Sequence, residues 1–507
     1  MSFKIDGKKI ARNTLTLYVR QAVTMFISFF TVRVTLEQLG VEDYGLNNLV
    51  GSIVTMFSFI NGSMGTAVQR YYSYEIGREN PQRLKSVFGV GLYLHSIVTV
   101  VSFLIAEVFA FFFLEKMNIP AERLSAAHIV FQASVVTLCL GIITVPYSAL
   151  LRAREMFAQT ALVEIAQAFM RLGVLYLLIV LPFDKLVTLS FLNLGVSVAG
   201  IIAFVVMARQ FEETHSGPLR DRDLVKEMLK FVSMLLFTVL ASLANVQGVV
   251  LLINLFFGLT VNAAYAVAVQ VQNAVNTFVV NFKSSMVPQI MASYGAGDLK
   301  SMHRLIDFGT KITFLMLLMI TLPVCFSAQW ILDLWLKNPP QYAAELVILT
   351  LASINVSSFT YFHYQGIHAS GKIAKQQIWI SGSYLASILM IFILFELGFN
   401  FYYAVIVNMG IAVIQSGVNI FYAKKYLEYS VGTFVDKILM PAVALCVLAV
   451  AGIYACSVIS NVEIIRFLLV MVGDAMLPVM ALFVLFDKDE RKKVNMLVGK
   501  IICARGR

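Results

Sequence analysis

The stretch LVTLSFLNLGVSVAGIIAFVVMAR, residues 186–209, carries no charge until its last residue. About 20 consecutive apolar residues suffice to cross the hydrocarbon core of a bilayer as a helix. A helix also satisfies every backbone polar group within the segment, which lipid demands. Working outward from it, runs of the same kind recur nearly end to end. We read spans at 13–38, 44–73, 85–114, 124–151, 157–181 and 186–209. After a charged stretch come 229–257, 262–293, 304–332, 343–369, 373–396 and 400–426, then a last pair at 438–460 and 463–486. Over the 507 residues, 59% are hydrophobic and 13% charged. An average soluble domain carries about 25% charged residues, so a water-soluble globule is excluded. A disordered chain is excluded as well, because its apolar content would be far lower. The expected fold is an all-α polytopic membrane protein of about 14 transmembrane helices.

The net charge of +10 would suit a nucleic-acid binder, but its distribution suits a membrane. With the N-terminus cytoplasmic, 28 of the 39 Lys and Arg residues fall in cytoplasmic segments, 5 in outer loops and 6 within spans. That steady alternation is the positive-inside pattern, and it predicts both termini in the cytoplasm. Skipping one helix would invert the pattern downstream. No small-residue cleavage site follows a short apolar core at the front, so the first helix is expected to stay as an anchor. The outer loops are short, the longest near 332–343, which leaves no room for an external catalytic domain and argues against a glycan polymerase or ligase. The five cysteines are scattered without CxxC spacing, so neither a disulfide framework nor a metal site is expected. His363 and His368, five apart, do not share a helical face, and no cofactor is implied.

A shift of 220 residues lays the second span on the eighth. Asn61/Asn281, Gln69/Gln289, Ser73/Ser293, Tyr74/Tyr294 and Gly77/Gly297 then coincide. An offset of six helices preserves orientation, as in parallel transporter repeats, whose substrate path lies at the repeat interface. The expected organisation is a six-helix lobe over 1–212, an amphipathic cytoplasmic linker over 213–228 and a second six-helix lobe over 229–427. A helix pair with a basic tail over 428–507 completes it.

Polar residues concentrate in spans one, two, seven and eight. Span one has Thr16, Arg20, Thr24, Ser28, Thr31 and Thr35, and span two has Asn48, Ser52, Thr55 and Ser58. Span seven has Thr238 and Asn245, and span eight Asn273, Asn281 and Gln289. Single hydroxyls at such spacing commonly serve helix packing, whereas amides and charges are costly in lipid and face protein or water. A shared hydrated cavity is the expectation. Among in-span cations, Arg20 and Lys283 have no carboxylate within four positions and are candidate contacts for an anionic substrate, together with Arg70 near the cytoplasmic end. Asn273, Asn281 and Gln289 would meet its polar part. Arg171 shares a face with Glu164, so an ion pair or gating contact between them is expected; Arg33 with Glu37, one turn on, reads the same way. Glu164 is the best candidate for coupling to protons or sodium.

The opening from Asn13-Thr14, through Leu39-Gly40 and Asp43-Tyr44-Gly45, to Gln69-Arg70-Tyr71 and Gly77 resembles bacterial polysaccharide flippases. These belong to the multidrug/oligosaccharidyl-lipid/polysaccharide exporter superfamily. VPYSALLRAREMFAQTALVE (145–164) is similar to the family's connector after the fourth helix. The resemblance is strong over about 1–180 and topological beyond. It implies a V-shaped pair of six-helix lobes that opens alternately to each side of the bacterial inner membrane. It also implies an undecaprenyl-pyrophosphate-linked oligosaccharide as cargo, and polysaccharide polymerase machinery as a downstream partner. Membrane lipids are the other expected partners, and nucleic acid is not one. A cation-coupled multidrug exporter of the same superfamily and a peptidoglycan-precursor flippase are the alternatives. In-span cations outnumber mid-span carboxylates, which favours an anionic cargo.

Overall fold

The protein, seen in a computed structural model, is described over residues 7–55, 58–113, 120–215, 221–336, 339–459, 462–487 and 490–491. Some side chains in the first helices, among them Arg33, Asn48, Ser52, Thr55, Ser58 and Asn61, lie outside that description. The described residues are helical with no strand. In chain order the helices are α1 (Gly7–Thr55), α2 (Ser58–Gly77), α3 (Pro81–Phe113), α4 (Leu124–Ala153), α5 (Phe157–Val180), α6 (Lys185–Ala208) and α7 (Arg222–Gly295). Then follow α8 (Leu299–Phe326), α9 (Ala328–Leu336), α10 (Ala343–Ser358), α11 (Tyr361–Ser370), α12 (Ala374–Glu396) and α13 (Tyr402–Leu427). The last four are α14 (Val431–Phe434), α15 (Met440–Val458), α16 (Glu463–Ala475) and α17 (Leu477–Val484).

α7 holds two of the expected spans, and α1 holds the first and the start of the second, which α2 continues. The chain turns inside α1 at Gly40, φ 75°, and inside α7 at Gly258, φ 79°. A left-handed φ is open to glycine at little cost because it has no Cβ, so these are the points where a long helix can reverse. Elsewhere a span is interrupted. α10 and α11 are bent by 40° at their junction, and α14 runs through a π turn at Val435–Leu439 into α15. Among the described residues, 10 helices are long and apolar enough to cross a membrane, or 11 with the bent pair as one span.

The chain divides into two compact units, Met1–Leu236 with Met291–Gly297, and Phe237–Ile290 with Asp298–Arg507. In the first, α4 packs against α1, α2, α3, α5 and α6, and α1 lies along α5. Leu46, Ala106, Ala127, Val130, Phe131 and Leu186 form one of its cores. The connector after α6 belongs to this unit through ion pairs: Arg154–Glu213 at 2.7 Å, Lys85–Glu212 at 3.2 Å and Arg83–Asp221 at 3.4 Å. At the other end of the unit, Arg123 bridges Asp43 and Asp184. Burial pushes the Asp184 carboxyl up, but the Val187 amide and the Arg123 guanidinium outweigh it and hold the group below its ordinary value. In the second unit, α13 packs against α10, α11 and α12. The final helices pack on α8 through Phe314, Leu318, Ala442, Leu445, Val470 and Leu477.

Candidate functional site: a polar cleft between two helices

Helices α1 and α5 enclose a cavity of about 360 Å³ in the N-terminal unit. α1 contributes Thr24, Ile27, Ser28 and Thr31, and α5 contributes Glu164, Gln167, Ala168 and Arg171. The steps of three and four put each set on one helical face. The hydroxyls donate to their own helix: Thr24 to the Arg20 carbonyl at 2.9 Å, Ser28 to Met25 at 2.8 Å and Thr31 to Ile27 at 2.9 Å. Each hydroxyl donor is thereby satisfied without water, while the oxygen lone pairs remain to accept from a cargo. Gln167 lies against Gly200 of α6, where a Cβ would overlap its amide, so that close approach helps fix the back wall.

Glu164 pairs with Arg20, not with Arg171. Arg20 Nη1 stands 2.7 Å from Glu164 Oε2. This corrects the expected pair along α5, and the geometry gives the reason. Residues seven apart on one helix are displaced by about 10.5 Å along its axis, whereas α1 packs alongside α5 and presents Arg20 to Glu164. Arg171 lines the cleft and is exposed, with no ion pair to it among the described residues. A third guanidinium was missed by sequence reasoning. Arg152, at the end of α4, lies within electrostatic range of both Arg20 and Glu164. Its Nη2 reaches Ser148 Oγ at 3.5 Å, and its buried Nε has no hydrogen-bond partner. In the sequence it sits in a basic connector after the span and looks like a topology determinant. The fold brings it within electrostatic range of Glu164, which lines the cleft.

The other candidates are placed as follows. Arg70 is 4% exposed, and its guanidinium lies 4.4 Å from the Tyr71 ring, 5.1 Å from Tyr74 and 5.4 Å from Phe231. Glu75 is in electrostatic range of it. Arg70 is thus enclosed by rings and does not line the cleft. In the second unit, Lys283 is 8% exposed, with Nζ 4.6 Å from the Tyr361 ring centre and no ion pair among the described residues. Asn281 and Gln289 of the same helix are buried as well, while Asn273 is exposed. Glu37 is exposed at the far end of the first span, and Arg33 falls outside the described side chains.

Span seven departs from the expected cavity lining. Thr238 bonds Gln377 and Ser381 of α12, and Asn245 bonds Ser387 and the Tyr384 carbonyl. These polar groups satisfy one another between packed helices, as buried polar side chains must. The four described cysteines are free thiols, and no group of three His, Cys, Asp or Glu that could hold a metal occurs among the described residues.

Residues 19–177 match the MatE family model. The cleft residues from Arg20 to Arg171 all fall inside that segment. EpsK of Bacillus subtilis (strain 168), an uncharacterized membrane protein, is 20% identical over 341 residues, which is 66% of this chain and 67% of EpsK. Solved structures with this fold include a multidrug resistance MATE family transporter of the MOP superfamily in an outward-facing conformation. It has a TM-score of 0.68 and 14% identity, and the match covers 83% of this chain and 96% of that one. A MATE protein in a bent conformation has a TM-score of 0.70 at 14% identity, with coverage of 83% and 95%. A MOP superfamily transporter from Pyrococcus furiosus has 0.67 at 14%, with coverage of 83% and 96%. The chain thus shares the fold of these MATE structures, and the MatE match lies in its first 177 residues.

Proposed function

We propose that this transporter is a flippase. Its cargo is an undecaprenyl-pyrophosphate-linked oligosaccharide repeat unit, moved by alternating access from the inner to the outer leaflet of the bacterial inner membrane for surface polysaccharide assembly. The observation that carries the reading is the charge of the cleft. Glu164, the one carboxylate of its lining, is paired with Arg20 and lies in electrostatic range of Arg152, and Arg171 lines the same cavity. A lone charge at the bilayer centre costs about 2.5–3.5 kcal/mol or more. Such a surplus is retained where an anion repays it, and guanidinium meets phosphate oxygens through charge-assisted, often bidentate bonds. Lys283 adds a buried ammonium in the second unit. The hydroxyls and Gln167 suit a sugar, whose groups both donate and accept. The lipid tail would stay in the bilayer, and a polysaccharide polymerase would receive the product.

A cationic drug would meet repulsion in the same cleft, which disfavours a multidrug exporter. The Pyrococcus furiosus relative is described as having a binding pocket of reverse polarity that suggests a different function, so pockets of differing charge occur on this fold. A peptidoglycan-precursor flippase would share the pyrophosphate chemistry, and the same assay separates it. In cells lacking the protein, lipid-linked sugar should accumulate on the cytoplasmic leaflet with loss of surface polysaccharide. Arg20→Ala and Lys283→Ala should restore export poorly at matched expression, and Arg20→Lys better. Unchanged leaflet distribution in the deletion strain, with no second homologue in the cell, would reject the reading and make cationic-drug efflux the next assay.

A further inference from the structure

We propose that Glu164 is a placeholder for the phosphate of the cargo: its carboxylate occupies the guanidinium site when the cleft is empty, and an entering phosphate displaces it. This inference rests on the anionic-cargo reading and assigns the competing group within it. Three observations carry it. Glu164 Oε2 sits 2.7 Å from Arg20 Nη1, the separation a phosphate oxygen would take. Both side chains are partly accessible, 22% for Arg20 and 38% for Glu164, so an incoming ligand can reach the pair without unfolding the helices. Arg152 stands in electrostatic range of both, with a buried Nε lacking any partner. Glu164 is paired with Arg20 and only in electrostatic range of Arg152, whose Nε keeps donor capacity over, whereas a pyrophosphate brings more charge and more acceptor oxygens.

The exchange has a consequence for transport. A strongly cationic cleft with no internal anion would bind pyrophosphate and hold it. A carboxylate that returns to Arg20 offers the cations a partner as the cargo leaves, so the departing phosphate need not leave them bare. Affinity is given up for turnover. Binding strength common to loaded and unloading states does nothing for a carrier's rate, for the reason that uniform binding does nothing for catalysis.

The test is binding by the purified full-length protein in lipid nanodiscs, with farnesyl pyrophosphate as the probe. Farnesol reports the tail alone and inorganic pyrophosphate the headgroup alone. Glu164→Gln keeps the shape of the side chain and removes its charge. It should bind farnesyl pyrophosphate at least about threefold more tightly than wild type, in keeping with the modest strength of accessible ion pairs. Farnesol binding should not change. Arg152→Gln should weaken binding of the pyrophosphate lipid, and Glu164→Gln should export lipid-linked sugar more slowly despite its tighter binding. Thermal unfolding of each variant identifies any that has lost its fold, and Glu164→Ala then serves as the second neutral variant. If wild type binds the pyrophosphate probes but both neutral variants bind them equally or more weakly, Glu164 positions Arg20 and the placeholder is overturned while the anionic-cargo reading stands. If wild type binds neither pyrophosphate probe, both fail.

Discussion

At the residue scale, the ionic groups this fold shelters need a partner within it or a ligand. Lys311 of α8 is 2% exposed, and its partner lies 179 positions away, Glu490 Oε2 at 2.7 Å. The Asp487 amide donates to the same carboxylate oxygen at 3.0 Å, and Arg491 closes the turn onto the Phe486 and Phe483 carbonyls. The turn after the last helix is thereby fastened to α8 by one buried ammonium. Breaking such a pair from one side is costly because the remaining charge stays buried, about 3 kcal/mol or more. Glu490→Gln should therefore lower the unfolding midpoint of the purified protein markedly. Lys311→Met with Glu490→Gln should recover most of the loss, since an apolar pair of similar volume is often neutral. Additive losses in the double variant would sink the account. The same comparison shows what sequence reading reaches. Arg20, Glu164 and Arg171 were legible as ionic groups inside apolar runs, because each breaks the pattern. Their pairing was not legible, since Arg20 and Glu164 are 144 positions apart and meet only once α1 lies along α5.

At the scale of elements, the repeat read from the sequence gains a physical meaning. Tyr74 and Tyr294 coincide under the shift of 220, and in the first unit their rings are 6.1 Å apart. The ends of α2 and α7 approach so closely there that a Cβ at Gly77 would overlap the Ala292 carbonyl, and one at Gly295 would overlap the Tyr74 carbonyl. Backbone at such range excludes any larger residue. Ser73 and Ser293 at the same crossing are fully buried. Gly77→Ala and Gly295→Ala should each destabilise the protein by about 1–3 kcal/mol, the range of overpacking in a close-packed interior. Gly141→Ala in α4, where a Cβ meets open space, should be neutral or slightly stabilising, because alanine is the better helix former. The comparison is one of melting temperatures in a single detergent, and equal losses at all three glycines would refute the close-contact explanation. Helix positions were legible from hydropathy, and so was the need for breaks near 38–44 and 257–262. Hydropathy did not show that the breaks are single left-handed glycines within otherwise continuous helices. Nor did it show that Thr238 and Asn245 face α12, because a polar residue in a span reads alike whether it meets water or a neighbouring helix.

At the scale of the whole molecule, the arrangement of charge that orients the chain also bears on the cleft. Lys and Arg outside the spans are concentrated on one side of the expected topology, 28 against 5, and positively charged connectors are retained in the cytoplasm during insertion. That topology would put the connector after α6, with Glu212 and Glu213 paired to Lys85 and Arg154, in the cytoplasm. It would put the Arg123–Asp43–Asp184 bridge on the outer side. On that proposed orientation Arg20, Arg152 and Glu164 would lie toward the cytoplasmic half and Arg171 deeper, in the order a phosphate entering from the inner leaflet would meet them. The orientation is open to a direct check. In a variant with its five native cysteines replaced, a cysteine at exposed Phe183 should react with a membrane-impermeant maleimide in intact spheroplasts. A cysteine at exposed Glu212 should react only after permeabilisation. The reverse pattern would turn the molecule over and make Arg171 the first cation reached from the cytoplasm.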